Sequence, residues 1–119
     1  MIEKPFTIIE VDKLLKSSFA VSTEEGEKLF NIIEMEINYG NNVVIDFENI
    51  ELIVSTFLNA SIGQLYGLFS TEIIQNHLTV RNISNEDLGI LKLVTDRAKE
   101  YFKDKKGFEN VFKKNFPDA

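Results

Sequence analysis

The run Val43-Val44-Ile45-Asp46-Phe47 is the sequence feature that most constrains the fold of this chain. It is compact, mostly apolar and opens with β-branched residues, which is typical of a central strand covered on both faces. Two further segments, 6–11 and 78–80, are also rich in β-branched or aromatic residues and predict additional strands. The chain is therefore expected to build its core around a β-sheet.

Helical patterns separate these predicted strands. Ser22-Thr23-Glu24-Glu25 fits a capping box and opens a helix that should end near 39–42. Ser55 can cap a second helix, and a third is expected to start at Ser84. Between Asp12 and Val21 the pattern is ambiguous, with a helical turn around Leu14-Leu15 and then a strand at 19–21 as one interpretation. Each helix has an apolar stripe at helical spacing. The first stripe is Leu29, Phe30, Ile33 and Ile37, and the second is Phe57, Leu58, Ile62, Leu65, Tyr66 and Phe69. The third is Leu88, Leu91, Val94, Ala98, Tyr101 and Phe102.

Alternation of strands and helices predicts an α/β sandwich, with a mixed, partly parallel sheet and helices packed on it. Small residues of the second helix, Ala60, Ser61, Gly63 and Gly67, are expected to allow close packing against that sheet. Gly and Pro are sparse and no repeat is present, so we predict a single domain over 1–119. Residues 103–119 are expected to be a C-terminal extension, with a short helix after Gly107.

Composition excludes several classes of chemistry. The chain has 119 residues, no Cys and one His, so disulfides, thiolate zinc sites, cysteine nucleophiles and multi-histidine metal sites are excluded. A net charge of -6 argues against a nucleic-acid partner. No secretory signal and no long apolar run is seen, so we expect a cytoplasmic protein without a membrane partner. No cofactor is expected, because the glycines form no nucleotide-binding pattern.

The turn that contains Ser55 and Thr56 is the best candidate for function. Two hydroxyls at a predicted helix N-terminus lie where backbone N–H groups and the helix dipole favour negative charge. A phosphoryl group there would add about 1.5 to 2 negative charges without refolding the domain. The alternative is structural, with Ser55 as the N-cap and Thr56 as an ordinary first-turn residue.

Carboxylates are the second group of candidates. Asp46 and Glu48 lie two residues apart and so share a strand face, and Glu51 follows in the loop. They could form a metal or acid/base site, or they could be ordinary acidic residues at the end of a strand. His77 is expected to be a surface or turn residue at the start of a strand, not a catalyst.

The middle of the chain resembles the STAS-like bacterial domain family of unknown function. The resemblance covers about residues 19–102 and depends on a strand that ends in Asp46-Phe47, a short loop, and Ser55-Thr56-Phe57-Leu58 at the start of a helix. Thr56 stands where the family usually has Ser. More broadly, the chain is similar to STAS domains of the anti-sigma factor antagonist type. That resemblance implies a small cytoplasmic α/β protein that binds an ATP-dependent serine kinase and is phosphorylated at a helix N-terminus.

Three functional hypotheses follow. The first is a non-catalytic protein-binding module in bacterial regulation, which docks through Ser55, Thr56, Phe57 and Leu58 with Asp46 and Glu48 nearby, and whose partner is a serine kinase-like ATP-binding regulator. The second is a small enzyme that uses Asp46, Glu48 or Glu51. The third is a self-associating structural protein, a homodimer packed through the tail aromatics Phe108, Phe112 and Phe116.

Overall fold

A computed structural model of the protein describes the backbone of residues 6–115 and the side chains of residues 6–103. The predicted α/β class is confirmed, with helices packed on parallel strands. The strands are β1 (Phe6–Glu10), β2 (Phe19–Ala20), β3 (Asn42–Asp46), β4 (Leu52–Ile53) and β5 (Leu78–Arg81). The helices are α1 (Val11–Leu15), α2 (Thr23–Asn38), α3 (Ser55–Ser61), α4 (Thr71–His77) and α5 (Asn85–Asn115), with a 3-10 helix at Gly63–Gly67 between α3 and α4.

The main sheet has three parallel strands in the order β1-β3-β5. Its register aligns Ile9, Ile45 and Val80 on one face, which packs into the core. β2 and β4 form a separate parallel pair, in which Phe19 lies opposite Leu52. The predicted central strand is therefore confirmed as β3, with a parallel neighbour on each side.

The other face of the main sheet differs from the expectation that this strand would be covered on both faces. Phe6, Ile8 and Thr79 are exposed there, and Val44 between them is half-buried. The described helices cover the opposite face of the sheet, where Val43 and Ile45 are fully buried. An apolar run alone cannot separate one-sided from two-sided coverage, because it does not show which elements pack on each face of the sheet.

The first long helix follows the sequence pattern closely. Ser22 precedes α2, and its hydroxyl oxygen accepts a hydrogen bond from the Glu25 N–H at 3.1 Å. The Ser22 hydroxyl in turn donates to the Glu25 carboxylate at 3.0 Å. Leu29, Ile33 and Ile37 are buried, as predicted, with Phe30 packed at the margin of the core.

Small residues bring helices together, not a helix and the sheet as predicted. A Cβ on Gly26 of α2 would lie 2.7 Å from both the Ala60 Cβ and the Phe57 carbonyl oxygen of α3. A Cβ on Gly67 would lie 2.6 Å from the Phe102 ring of α5. The fully buried Ser61 hydroxyl donates to the Phe57 carbonyl at 2.8 Å, so it brings no unpaired polar group into this contact.

The predicted second helix is divided into two pieces, and a further short helix that was not predicted follows them. α3 ends at Ser61, the 3-10 helix occupies Gly63–Gly67, and α4 begins after Ser70, whose hydroxyl accepts from the Ile73 N–H at 3.2 Å. The two glycines lower helix propensity, and Ser70 provides a new N-cap, so a continuous α-helix is not favoured. His77 ends α4 instead of opening a strand, with its Nδ1 3.3 Å from the Asn41 carbonyl oxygen.

The last helix is longer and less evenly buried than predicted. Ser84 precedes α5 and accepts from the Asp87 N–H at 3.1 Å, as its box-like sequence indicates. Leu91, Val94 and Ala98 are buried, but Leu88 and Tyr101 of the predicted stripe are exposed. α5 continues to Asn115, so the tail does not form the separate short helix expected after Gly107. Within the described part of the chain, no helix has the length and apolar character needed to cross a membrane.

The contact at Gly26 generates a stability prediction. Gly26→Ala should lower the free energy of unfolding by about 1–3 kcal/mol, because the new methyl group would press on the backbone of α3. Gly89→Ala is the matched control, since a Cβ there meets nothing within 4 Å. It should raise stability by up to about 1 kcal/mol through helix propensity alone. Urea unfolding monitored by circular dichroism measures both, and equal stability of the two variants would contradict this packing account.

Candidate functional site

Ser55 and Thr56 occupy the first turn of α3, directly after β4. Both side chains are exposed, and neither hydroxyl is hydrogen-bonded to another described residue. The backbone of Val54 is extended, and its carbonyl accepts the first helical hydrogen bond from the Leu58 N–H at 3.3 Å. The two hydroxyls are therefore available to solvent on a well-anchored turn.

The structural alternative for Ser55 is wrong in its detail. Val54 is the N-cap residue of α3, and no side chain caps the helix. α3 has seven residues, so its dipole moment is smaller than that of the predicted continuous helix, whose apolar stripe runs from Phe57 to Phe69. A functional role for Ser55 and Thr56 is therefore supported by their exposure and by the residues around them, and not by helix electrostatics.

Phe57 and Leu58 anchor this turn from below. Both side chains are fully buried in the core, so neither can contact a partner directly. The α2–α3 contact at Gly26 holds the backbone of Phe57 in place. Of the predicted docking segment Ser55–Leu58, the first two residues face solvent and the last two position them.

An exposed apolar surface borders this turn, and sequence reasoning did not identify it. We call Phe19, Val21 and Leu52 the ribbon patch, because they lie on or beside the β2–β4 pair. Phe19 is 47% exposed and Leu52 is 48% exposed, and the two are direct partners across the pair. Ala20 and Ile53, the alternate residues of the same strands, are buried. A strand of this kind can be recognised from the alternation of buried and exposed residues along it. Strands of two residues are too short to show that alternation in the sequence.

Asp46 has a different role from the one expected of a catalytic or metal-binding carboxylate. It is buried at the end of β3, where its Oδ2 accepts from Arg81 Nε at 3.1 Å and lies 3.0 Å from a terminal guanidinium nitrogen. Its Oδ1 accepts from the Asn82 side-chain amide at 2.9 Å and from the Glu48 N–H at 2.9 Å. Three hydrogen bonds and the ion pair with Arg81 therefore engage both carboxylate oxygens of Asp46.

These donors also set the charge state of Asp46. The hydrogen bond from Asn82 lowers the pKa of Asp46 below its ordinary value, and the Glu48 N–H and Arg81 add to this effect. Burial opposes them by raising the pKa, but it does not prevail. Asp46 therefore remains ionised at neutral pH and holds the ends of β3 and β5 together, as an ion pair and hydrogen-bond hub.

The other two candidate carboxylates, Glu48 and Glu51, are exposed and do not share the role of Asp46. Glu48 is exposed and lines a polar cleft of about 440 Å³ at the carboxyl ends of β3 and β5, with Asn82, Ser84 and Asp87. Glu51 is exposed and accepts from the Ser18 hydroxyl at 3.2 Å, which ties it to the segment before β2. Among the described residues, no group of three or more His, Asp or Glu side chains is placed to hold a metal ion.

Comparison with known proteins agrees with this architecture. The fold is a small α/β domain of parallel strands with helices packed on one face. A family model described as a STAS-like domain of unknown function (DUF4325) matches residues 25–88, more than half of the 119-residue chain. The chain therefore belongs to this family, as its resemblance indicated. Searches of curated proteins and of solved structures find no match.

The matched region contains most of the features described above. It begins within α2, continues through β3, β4 and β5, and ends in the first turn of α5. Ser55, Thr56 and Asp46 lie inside it, together with Leu52 of the ribbon patch. Phe19 and Val21 lie before it.

The Asp46 hub generates a pH-dependent prediction. Asp46→Asn should lower the free energy of unfolding at pH 7 by about 1–3 kcal/mol, because the buried donors lose a charged acceptor. The pKa of Asp46 is lowered by folding, so its contribution is present above the ordinary carboxyl value near about 3.9 and is lost as pH falls through the folded value. The stability difference between wild type and variant should therefore narrow in acid. Urea unfolding between pH 7 and pH 3 measures this, with the exposed Glu48→Gln as control; a constant difference would contradict the role of Asp46.

Proposed function

We propose that this chain is a non-catalytic protein-binding module, and that its partner docks on the ribbon patch and the adjoining turn at Ser55 and Thr56. One observation supports the proposal most. An exposed apolar residue, Leu52, and the exposed hydroxyls of Ser55 and Thr56 lie on the same short segment, which runs from β4 into α3. Leu52 lies three residues before Ser55, and Phe19 is paired with Leu52. Apolar residues supply binding energy, and the hydroxyls supply a position that a kinase can modify.

The support for a rigid docking surface comes from the residues beneath it. Ala20, Ile53 and Phe57 are buried, and the Val54 N–H donates to the Ala20 carbonyl at 3.1 Å. These contacts hold the backbone of the patch before a partner arrives. A preorganised surface spends less conformational entropy on binding than a mobile one.

Phosphorylation of Ser55 or Thr56 is proposed as the switch that releases the partner. The added charge would stand next to the apolar ribbon patch and close in sequence to the acidic Glu51. A phosphoryl group in an apolar interface, or beside a carboxylate, disrupts binding through desolvation and like-charge repulsion. The resemblance to anti-sigma factor antagonists suggests the class of partner. We expect it to be a serine kinase-like, ATP-binding regulator in bacteria.

The enzyme hypothesis receives no comparable support. Both carboxylate oxygens of Asp46 accept hydrogen bonds, from Arg81, Asn82 and the Glu48 N–H, and its lowered pKa does not favour proton transfer near neutral pH. The homodimer hypothesis depends on Phe108, Phe112 and Phe116, whose side chains lie outside the described residues.

Substitution within the ribbon patch tests the docking surface. Leu52→Asp should abolish capture of the partner from the native host, because it places a charge at the centre of the apolar surface. Leu93→Asp is the matched control, since Leu93 is 49% exposed and lies on α5, which contributes no residue to the patch. Affinity capture with quantitative mass spectrometry compares the two variants with wild type. Equal loss of the same partner in both variants, or its retention in both, would reject this surface.

Phosphomimetic substitution tests the switch separately. Ser55→Asp or Thr56→Asp should weaken binding of the purified partner by about tenfold or more, because like charges at an interface are unfavourable. Ser55→Ala and Thr56→Ala should bind as wild type does. Titration calorimetry measures the affinities, and circular dichroism confirms the fold. If both aspartate variants bind like wild type while Leu52→Asp does not, the docking surface stands and the switch is rejected.

A further inference from the structure

An apolar groove runs along the β5 edge of the main sheet, and it shares no residue with the ribbon patch. It has a volume of about 560 Å³ and lies between α4, β5, α5 and the 3-10 helix. Ile62, Ile74 and Leu91 are buried in its lining. Leu78 and Val80 contribute the core-facing side of β5, which has β3 as its neighbour among the described strands. This volume is within the range of small-molecule sites in proteins.

Gly89 gives this groove an unusual wall. Apart from proline, glycine is the residue that destabilises a helix interior most. Gly89 nevertheless lies in the second turn of α5. Gly26 and Gly67 contact a neighbouring element that a Cβ would strike, and a Cβ on Gly63 would lie at ordinary contact distance, 3.5 Å, from the Val94 side chain of α5. Around Gly89 a Cβ would meet nothing within 4 Å, and the residue lines the groove. No contact within the described domain therefore requires a glycine at this position, and the groove is open beside it.

The charge of the lining is also selective. Lys92 is the one charged residue among the lining residues, although the protein has a net charge of -6. Its Nζ is 3.2 Å from the Asp96 carboxylate in an exposed pair, from which an incoming anion could recruit it. The remaining polar side chains in the lining are neutral: Tyr66, Gln75, Asn85 and Thr95. An apolar groove with a single cation and several neutral hydrogen-bonding groups is complementary to an apolar molecule that carries one anionic group.

We propose that this groove binds a small amphipathic carboxylate, with its aliphatic or aryl part against Gly89 and the buried floor and its carboxylate at Lys92. The proposal is independent of the partner-binding function, because it involves none of the ribbon patch. It also differs from addition of a peptide strand to β5. That strand has only four residues, and because part of their backbone groups already pair with β3, few ladder positions remain for a peptide.

Fluorescence of 1-anilinonaphthalene-8-sulfonate, an aromatic molecule with one anionic group, reports occupation of the groove. Decanoate and decanol serve as competitors with the same chain and different charge. Decanoate should displace the dye at a concentration about three- to fivefold lower than decanol does, the size expected of an exposed ion pair. Lys92→Gln should remove this difference, whereas Lys103→Gln, an exposed lysine outside the groove lining, should keep it.

Gly89→Leu tests the location of the site. The leucine side chain should enter open groove space and weaken dye and decanoate binding by about tenfold or more, with the circular dichroism spectrum unchanged. Gly89→Ala should give a smaller loss. The proposal is overturned if the dye does not bind, if decanoate and decanol compete equally with wild type, or if Gly89→Leu binds as wild type does. It is also overturned if light scattering shows a ligand-free dimer that Gly89→Leu dissociates, since the groove would then be an interface between copies.

Discussion

The close approach of α2 and α3 at Gly26 is the contact on which the candidate site depends. Only a residue without a Cβ fits there, 2.7 Å from the Phe57 carbonyl oxygen and the Ala60 side chain. A helix as short as α3 has little stability of its own in water, so its packing against α2 and the core maintains it. That packing buries Phe57 and Leu58 and leaves Ser55 and Thr56 exposed on the outer turn.

Asp46 places the second constraint on the fold. Its carboxylate joins the end of β3 to Arg81 and Asn82 at the end of β5, and these contacts engage both of its oxygens. Asn82 has a positive φ of 56°, a conformation that asparagine tolerates better than most residues. The family's Asp-Phe sequence at the end of a strand can thus be understood here as a structural element that fixes the carboxyl edge of the sheet.

Much of the fold could be predicted from local patterns. Ser22 and Ser84 both cap helices as their sequences indicate, and the α2 stripe is buried. The errors occurred where non-local packing decides. Ser55 resembles a cap in sequence, but Val54 takes that position because β4 delivers an extended backbone directly into the helix. Leu88 fits an apolar stripe, yet it is exposed beside the groove because no described element covers it.

The sequence by itself determined the α/β class, the strand β3, the capped helices and membership of the STAS-like family. These depend on periodicity, on capping residues and on a motif within a short stretch of chain. The tertiary structure decided what the candidate residues can do. Asp46 meets donors that lie 35 and 36 residues away, Phe19 and Leu52 become neighbours only when β2 pairs with β4, and the groove exists only where α5 returns past β5. Such contacts depend on how distant segments pack, which local sequence does not encode.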